Sequence, residues 1–229
     1  KFEDDPATFM LIDKATRGKT ETILFNIDVE GPINKDKTAV LRVFAKMFYT
    51  RLGYYGENLK VAKLEHYIDQ CGKTEEFRRV FEEKKGMPWL KARQAFSFHG
   101  KYIVPTLMEV LDMSEEDAKN WFNDKSATEM SIAQLVSEIK EYVNSKPKDF
   151  RLLFMIDEVG QYVGTDTDML LNLQSLIEEI GSKCGGKVWV VCTGQEAIDE
   201  IIKVRADEFS RIQARFKTRL SLSSSSVDE

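Results

Sequence analysis

The sequence predicts an α/β fold: a parallel sheet flanked by helices, with a helical insertion between strands. Three observations carry this. Short, continuously apolar stretches at residues 21 to 29, 151 to 159 and 187 to 195 have the length and β-branched content of buried strands. Amphipathic helical patterns follow them, an alternation that favours parallel strands covered on both faces. Between the first and second strands lie about ninety residues, 58 to 147, with no strand pattern, too many for a loop.

In chain order, "ETILFNIDV" (21 to 29) reads as the first strand and is closed by "EGP". From Asp36 the period changes: Val40, Val43, Phe44, Met47, Phe48 and Leu52 recur at three- and four-residue steps up to Gly53, the signature of a helix with one buried face. In the insertion, "NLKVAKLEHYIDQCG" and "KTEEFRRVFEEKKG" each end on a glycine suited to a helix C-terminus. "SEEDAKNWF" opens on Ser114 as N-cap with acids in its first turn, and "SATEMSIAQLVSEIKEYVNSKP" ends just before Pro147. Strand "RLLFMIDEV" then leads through "GQYVGTDT" into helix "DMLLNLQSLIEEIGSK". Strand "KVWVVCTGQ", helix "EAIDEIIKVRADEFSRIQARF" and a fourth strand, "KTRLSLS", complete the pattern. The expected division is 1–57 for the first part of the core, 58–147 for the insertion and 148–229 for the second part of the core.

Composition narrows the class. The 229 residues are 42% apolar and 31% charged, and no apolar run approaches the roughly 20 residues of a membrane span. No stretch near Lys1 has the pattern of a secretion signal. Cys71, Cys184 and Cys192 are an odd number without metal-ligand spacing, which fits reduced thiols and a cytoplasmic protein. A net charge of −5 argues against coating nucleic acid by bulk charge. The chain starts at Lys1 without an initiator Met and ends on "SLSSSSVDE" just after an expected strand, so it reads as an excerpt of a longer protein.

The chemistry gathers at strand ends. Ligands of parallel α/β sheets bind beyond the carboxyl ends of the strands, and "RLLFMIDEV" places Asp157 and Glu158 at one such end. Two adjacent carboxylates repel, and a cation there offsets the repulsion. An aspartate at this place holds Mg²⁺ directly or through water, and the following glutamate orients and partly deprotonates an attacking water. Four or more apolar residues followed by Asp-Glu form the Walker B element of P-loop ATPases; the alternative is a pair of acids capping a surface turn.

The next strand ends in Thr193, Gly194 and Gln195. Thr193 is either a satisfied strand-end hydroxyl or a group that bonds the attacking water or γ-phosphate, the sensor 1 role of AAA+ ATPases. Arg211 and Arg215 stand one helical turn apart before the last expected strand. Arg215 is the first choice for an arginine that reaches a neighbouring subunit's γ-phosphate, against a solvated basic face balanced by Asp207 and Glu208.

The phosphate loop G-x-x-x-x-G-K-[ST] is missing from the sequence. "GKT" occurs at Gly18 and at Gly72, but Asp13 and Tyr67 stand where the first glycine is needed. Either the loop lies upstream of Lys1, which is the more economical reading, or the chain is not an ATPase; residues 1 to 229 alone are expected to bind ATP poorly or not at all.

The run "LFMIDEVGQYVGTDTDMLLNLQSLIEEIGSKCGGKVWVVCTGQEAID", with "RIQARFKTRLSLSS" after it, resembles the BrxC-type (PglY-like) P-loop ATPase of BREX phage-defence systems, as do "TILFNIDVEGPINKDKTAVLRVFAKMFYTRLGYYGE" and "GMPWLKARQAF". The resemblance implies a P-loop NTPase (AAA+-like) core within a very large bacterial protein. It also implies ATP and Mg²⁺ as cofactors, other BREX components as partners, a possible homo-oligomer, and DNA met within a complex. Residue by residue it implies Asp157 and Glu158 as Walker B, Thr193 as sensor and Arg215 as finger. Gln195 and Arg211 are candidates for contact with the nucleotide by their position alone, beside Thr193 and one turn before Arg215.

A second class of function is a DNA- or partner-binding scaffold with weak or no hydrolysis. Lys84, Lys85, Lys91, Arg93 and Lys101 fall in a stretch with no acid, interleaved with Trp89, Phe96 and Phe98. Such a stretch grips phosphates and stacks on bases, or is a core face with a solvated edge. His66 and His99 stand near no cluster with metal-ligand spacing and read as ordinary histidines.

Overall fold

The computed structural model describes residues 5–32, 35–124, 128–164 and 166–194. Over these residues the protein is α/β, with a three-stranded parallel sheet among its helices. Two compact units emerge, one of residues 1–40 with 140–229 and one of residues 41–139. Both divisions fall inside helices, where the sequence places them at 57/58 and 147/148. Apolar periodicity marks a helix but not which core that helix joins.

In the sheet unit, α1 (Pro6–Thr16) is capped by Asp5, whose carboxylate accepts from the Ala7 and Thr8 N–H groups. The sequence reading had no element here. Strand β1 (Thr20–Asn26) pairs in parallel with β2 (Arg151–Asp157), and β2 with β3 (Val188–Cys192), in the order β1-β2-β3. β1 ends three residues before the expected boundary because Asn26 turns the chain. Its side-chain oxygen accepts from the Asp28 and Val29 N–H groups and opens the one-turn helix α2 (Ile27–Glu30). Likewise β2 stops at Asp157, and "GQYVGTDT" is not wholly loop: the one-turn helix α10 (Val159–Val163) precedes α11 (Thr167–Lys183), whose N-cap Asp166 accepts from the Met169 N–H.

One face of the sheet is dry. Ile23 and Phe25 of β1, Leu152, Phe154 and Ile156 of β2, and Val188 of β3 are buried. Helix α11 packs on β3 and buries Met169, Leu173, Leu176 and Ile180. Over the described residues the second face carries no such cover, and the helix expected after β3 lies outside them. In register across the other face stand Leu24, Met155 and Val191, then Thr22, Leu153 and Trp189, with Leu24 67% and Trp189 59% exposed. The fourth strand expected after that helix also lies outside the described residues.

The other unit is helical, as the sequence predicts. It comprises most of α3 (Ala39–Leu52) and all of α4 (Leu59–Gln70), α5 (Thr74–Lys85), α6 (Trp89–Ala92), α7 (Gly100–Leu111) and α8 (Glu115–Asn123), with the first part of α9 (Ile132–Asn144). A 3₁₀ segment, Arg93–His99, joins α6 to α7. Ser114 caps α8 as expected, accepting from the Asp117 N–H at 3.0 Å. The core centres on Trp89, whose ring meets Phe77 and Phe81 edge-on at centroid distances of 5.0 and 5.1 Å. Such edge-to-face pairs contribute about 0.5–1.5 kcal/mol each beyond burial.

Both "GKT" tripeptides have structural work. Gly18 lies so close to Asp149 that a Cβ would stand 2.0 Å from its carbonyl oxygen. Gly72 takes the left-handed φ of +67° beyond α4, while Thr74 Oγ1 donates to Asp69 at 2.9 Å.

Candidate functional site

The carboxyl ends of β1, β2 and β3 bring polar side chains together. Asp157 is the last residue of β2, and Asn26 of β1 is its register partner. Cys192 ends β3 opposite Ile156, so Thr193, the next residue, emerges beside Asp157. Backbone hydrogen bonds fix this: the Thr193 N–H donates to the Ile156 carbonyl at 2.9 Å, and the Val159 N–H donates to the Thr193 carbonyl at 3.2 Å.

Asp157 and Thr193, 36 residues apart in sequence, are thereby hydrogen-bonded. Thr193 Oγ1 donates to Asp157 Oδ1, which also accepts the Glu158 N–H at 3.1 Å. Two donors on one oxygen hold the carboxylate plane and leave Oδ2 directed elsewhere. The single O–H of Thr193 is given to Asp157, which leaves the hydroxyl oxygen with only acceptor capacity.

Glu158 has φ +62° and ψ +28°, in the left-handed region that a non-glycine residue occupies at a cost of about 1 kcal/mol. The surroundings hold it there. Its N–H is bonded to Asp157, its carbonyl accepts the Tyr162 N–H at 3.1 Å, and the next residue is tied to Thr193. The sharp turn lets a strand pass directly into α10 with the Glu158 side chain at the corner. Tyr162, buried on α10, fills the space beside Gly31, where a Cβ would lie 2.5 Å from its ring.

Two residues at this end were not singled out from sequence. Lys35 Nζ pairs with Asp28 Oδ1 at 2.9 Å and lies 4.1 Å from the centre of the Tyr162 ring, which brings a cation to the acidic strand ends. Asn26 was legible by the rule applied to Asp157, a polar residue where an apolar strand emerges. Lys35 carried no signal, since its contact depends on α2 and α10 packing together.

As a cation site the arrangement offers one well-held carboxylate, Asp157. Among the described residues no three His, Cys, Asp or Glu side chains converge as a metal cage. This donor set fits Mg²⁺, which takes one or two carboxylates and completes its shell with water and phosphate oxygens. Gln195, Arg211 and Arg215 lie outside the described residues.

Burial pushes the Cys192 thiol up to about 12 and the Cys184 thiol up to about 11, so both stay protonated near neutral pH. Cys71 is exposed, and all three are free. No helix among the described residues is long and apolar enough to cross a membrane.

The acid-free stretch is divided by the structure. Trp89 and Phe96 are buried in the helical core and stack on nothing from outside. Arg93 is turned inward: NH1 donates to Glu65 Oε1 at 2.9 Å, which also accepts Trp89 Nε1 at 2.7 Å. Lys84 pairs with Glu109 at 2.6 Å. His66 contacts Glu138 Oε2 at 3.2 Å through Nδ1, beside the Tyr49 hydroxyl that donates to the same oxygen at 2.7 Å.

Comparison with known proteins leaves the chain on its own geometry: no family model matches it, and no solved structure matches it.

Proposed function

We propose that this chain is part of an ATP-binding and hydrolysing AAA+-like module of a cytoplasmic bacterial anti-phage protein of the BREX type. In that module ATP turnover is coupled to assembling or remodelling a defence complex on DNA, with other BREX components as partners and a homo-oligomer as the working form. The observation that carries the reading is the Asp157–Thr193 hydrogen bond at the carboxyl ends of adjacent parallel strands. A Walker B carboxylate and a sensor hydroxyl require that juxtaposition, and a pair of acids capping a surface turn does not.

In this reading Asp157 would hold Mg²⁺, directly or through water, while Thr193 keeps the carboxylate from rotating. Bound there, Mg²⁺ would supply positive charge against the phosphate oxygens. Glu158 accepts a proton from the attacking water, and the rigid turn at φ +62° fixes its approach. The roles of Arg215 at a neighbouring subunit's γ-phosphate and of Arg211 and Gln195 towards the nucleotide are assigned from sequence alone, these residues lying outside the described ones. The reading requires a phosphate-wrapping loop, which residues 1–229 do not contain.

The test is ATP binding and turnover by the parent protein carrying that loop, wild type beside Glu158→Gln. The expected result is turnover by wild type, and in the variant retained ATP binding with hydrolysis lost by at least about 100-fold. Equal turnover in both would remove Glu158 from the chemistry.

A further inference from the structure

Once the internal contacts are subtracted, the acid-free stretch leaves a small outward surface that the nucleotide site does not use. No Asp or Glu occurs between Lys84 and Glu109, in a chain with 38 acids and net charge −5. Of its five cations, Arg93 and Lys84 are taken by Glu65 and Glu109. Lys85, Lys91 and Lys101 are in no ion pair among the described residues. Lys85 Nζ and Lys101 Nζ stand 4.8 and 5.9 Å from the centre of the same ring, Tyr102. Three residues before Lys101, at the end of the 3₁₀ segment, Phe98 is 85% exposed. The 3₁₀ segment packs on both α6, which carries Lys91, and α7, which carries Tyr102.

From this we infer that the surface formed by Lys85, Lys91, Phe98, Lys101 and Tyr102 binds a short single-stranded nucleic acid. Its phosphates lie on the lysines and a base stacks on Phe98. The residue types decide between polyanions. Carboxylates on a protein partner are matched best by the planar fork of arginine, and the only arginine in the stretch faces the core. The outward cations are all lysines, point charges suited to phosphates in any orientation. A fully presented phenyl ring has no polar edge to satisfy and offers a stacking face to any base. Three lysines are too few to hold a duplex by charge, so the stacked aromatic must carry its share, which requires an unpaired base.

The inference stands apart from nucleotide hydrolysis, and its test needs no ATP. The 229-residue chain is titrated against a fluorescein-labelled oligo-dT of about ten nucleotides, within the site size such surfaces cover, with anisotropy read at several salt concentrations. Wild type is expected to bind with log K falling against log salt at a slope of about −2, from about −0.7 per lysine. Lys85→Gln with Lys101→Gln should flatten the slope by about 1.4, Lys148→Gln should leave it unchanged, and Phe98→Ala should weaken binding by about 5- to 100-fold. Phe98 and Lys101 are exposed and Lys85 is half-buried against the Tyr102 ring, with no ion pair to lose, so circular dichroism and melting of the variants should match wild type. Absence of binding at low salt overturns the inference. So does binding that tolerates Phe98→Ala and is displaced equally by polyglutamate, because the surface would then be a dock for acidic proteins.

Discussion

Glu65 accepts three hydrogen bonds in the helical unit, and Glu65→Gln is a sharp test of how that unit is held. Its Oε1 accepts from Trp89 Nε1 at 2.7 Å and Arg93 NH1 at 2.9 Å, and its Oε2 accepts the Tyr55 backbone N–H at 2.6 Å. The Arg93 guanidinium also lies 5.3 Å from the Tyr55 ring centre. The side chains of Glu65 and Arg93 are only 8% and 18% exposed, so water substitutes poorly for either. Glutamine keeps the shape but has one acceptor oxygen. If that oxygen serves Trp89 and Arg93, the new NH₂ points at the Tyr55 N–H, donor against donor. An orphaned buried donor costs about 1–3 kcal/mol, and loss of the charge opposite Arg93 adds about 1–2 kcal/mol after allowance for its partial exposure. The expected destabilisation is therefore about 3 kcal/mol. In urea unfolding followed by tryptophan fluorescence, with a slope near 2–3 kcal/mol/M, the midpoint should fall by about 1–1.5 M. Arg93→Met in the Glu65→Gln background should cost less than in wild type, because the stranded charge is removed with it. A midpoint within about 0.2 M of wild type would show that the three donors are met by water and that Glu65 is not a keystone.

Other perturbations follow from the same packing. The buried Lys60 ammonium donates to the Phe122 and Asp124 carbonyls at 2.8 and 2.5 Å, where α8 ends, so Lys60→Met should destabilise by about 1–3 kcal/mol in the same assay. At pH 8 a thiol reagent should label exposed Cys71 rapidly, half-buried Cys192 slowly because desolvation keeps its thiol protonated, and buried Cys184 only on unfolding. Burial and the Glu138 carboxylate push the Tyr49 hydroxyl well above its ordinary value of 10.0. A folded-state value above the unfolded one means that this contribution is complete below pH 10 and is lost as pH rises beyond it. Thermal stability should therefore fall above about pH 10, by at most about 1.4 kcal/mol per pH unit for this group, and Tyr49→Phe should flatten the decline.

The parts legible in sequence were those written in short-range pattern. Strand ends at Asp157 and Thr193 could be read because an apolar run has to emerge somewhere, and a parallel sheet gathers those ends on one side. The Ser114 cap and the glycine after α5 could be read because their partners are within four residues. What pattern does not carry is the identity of distant partners. Trp89, Phe96 and Arg93 look alike in sequence to Phe98 and Lys101, yet the first three close on Glu65 and the aromatic core while the others face water. The early end of β1 followed from a single side chain, Asn26, competing for the backbone ahead of three more residues of strand-like composition. The left-handed turn at Glu158 has no signal at all, since nothing but the hydrogen bonds around it selects that conformation.

The claim at the centre is that Thr193 holds Asp157 for nucleotide chemistry, and it is tested most directly by steady-state ATP turnover of the loop-bearing parent protein with Thr193→Val and Thr193→Ser. Valine keeps the volume and β-branching but removes the hydroxyl, while serine keeps the hydroxyl on the same strand end. The account predicts a kcat loss of about 10- to 100-fold for valine with ATP affinity nearly unchanged, and recovery to within a few-fold of wild type for serine. Turnover undiminished in Thr193→Val, or lost equally in both variants, would contradict it.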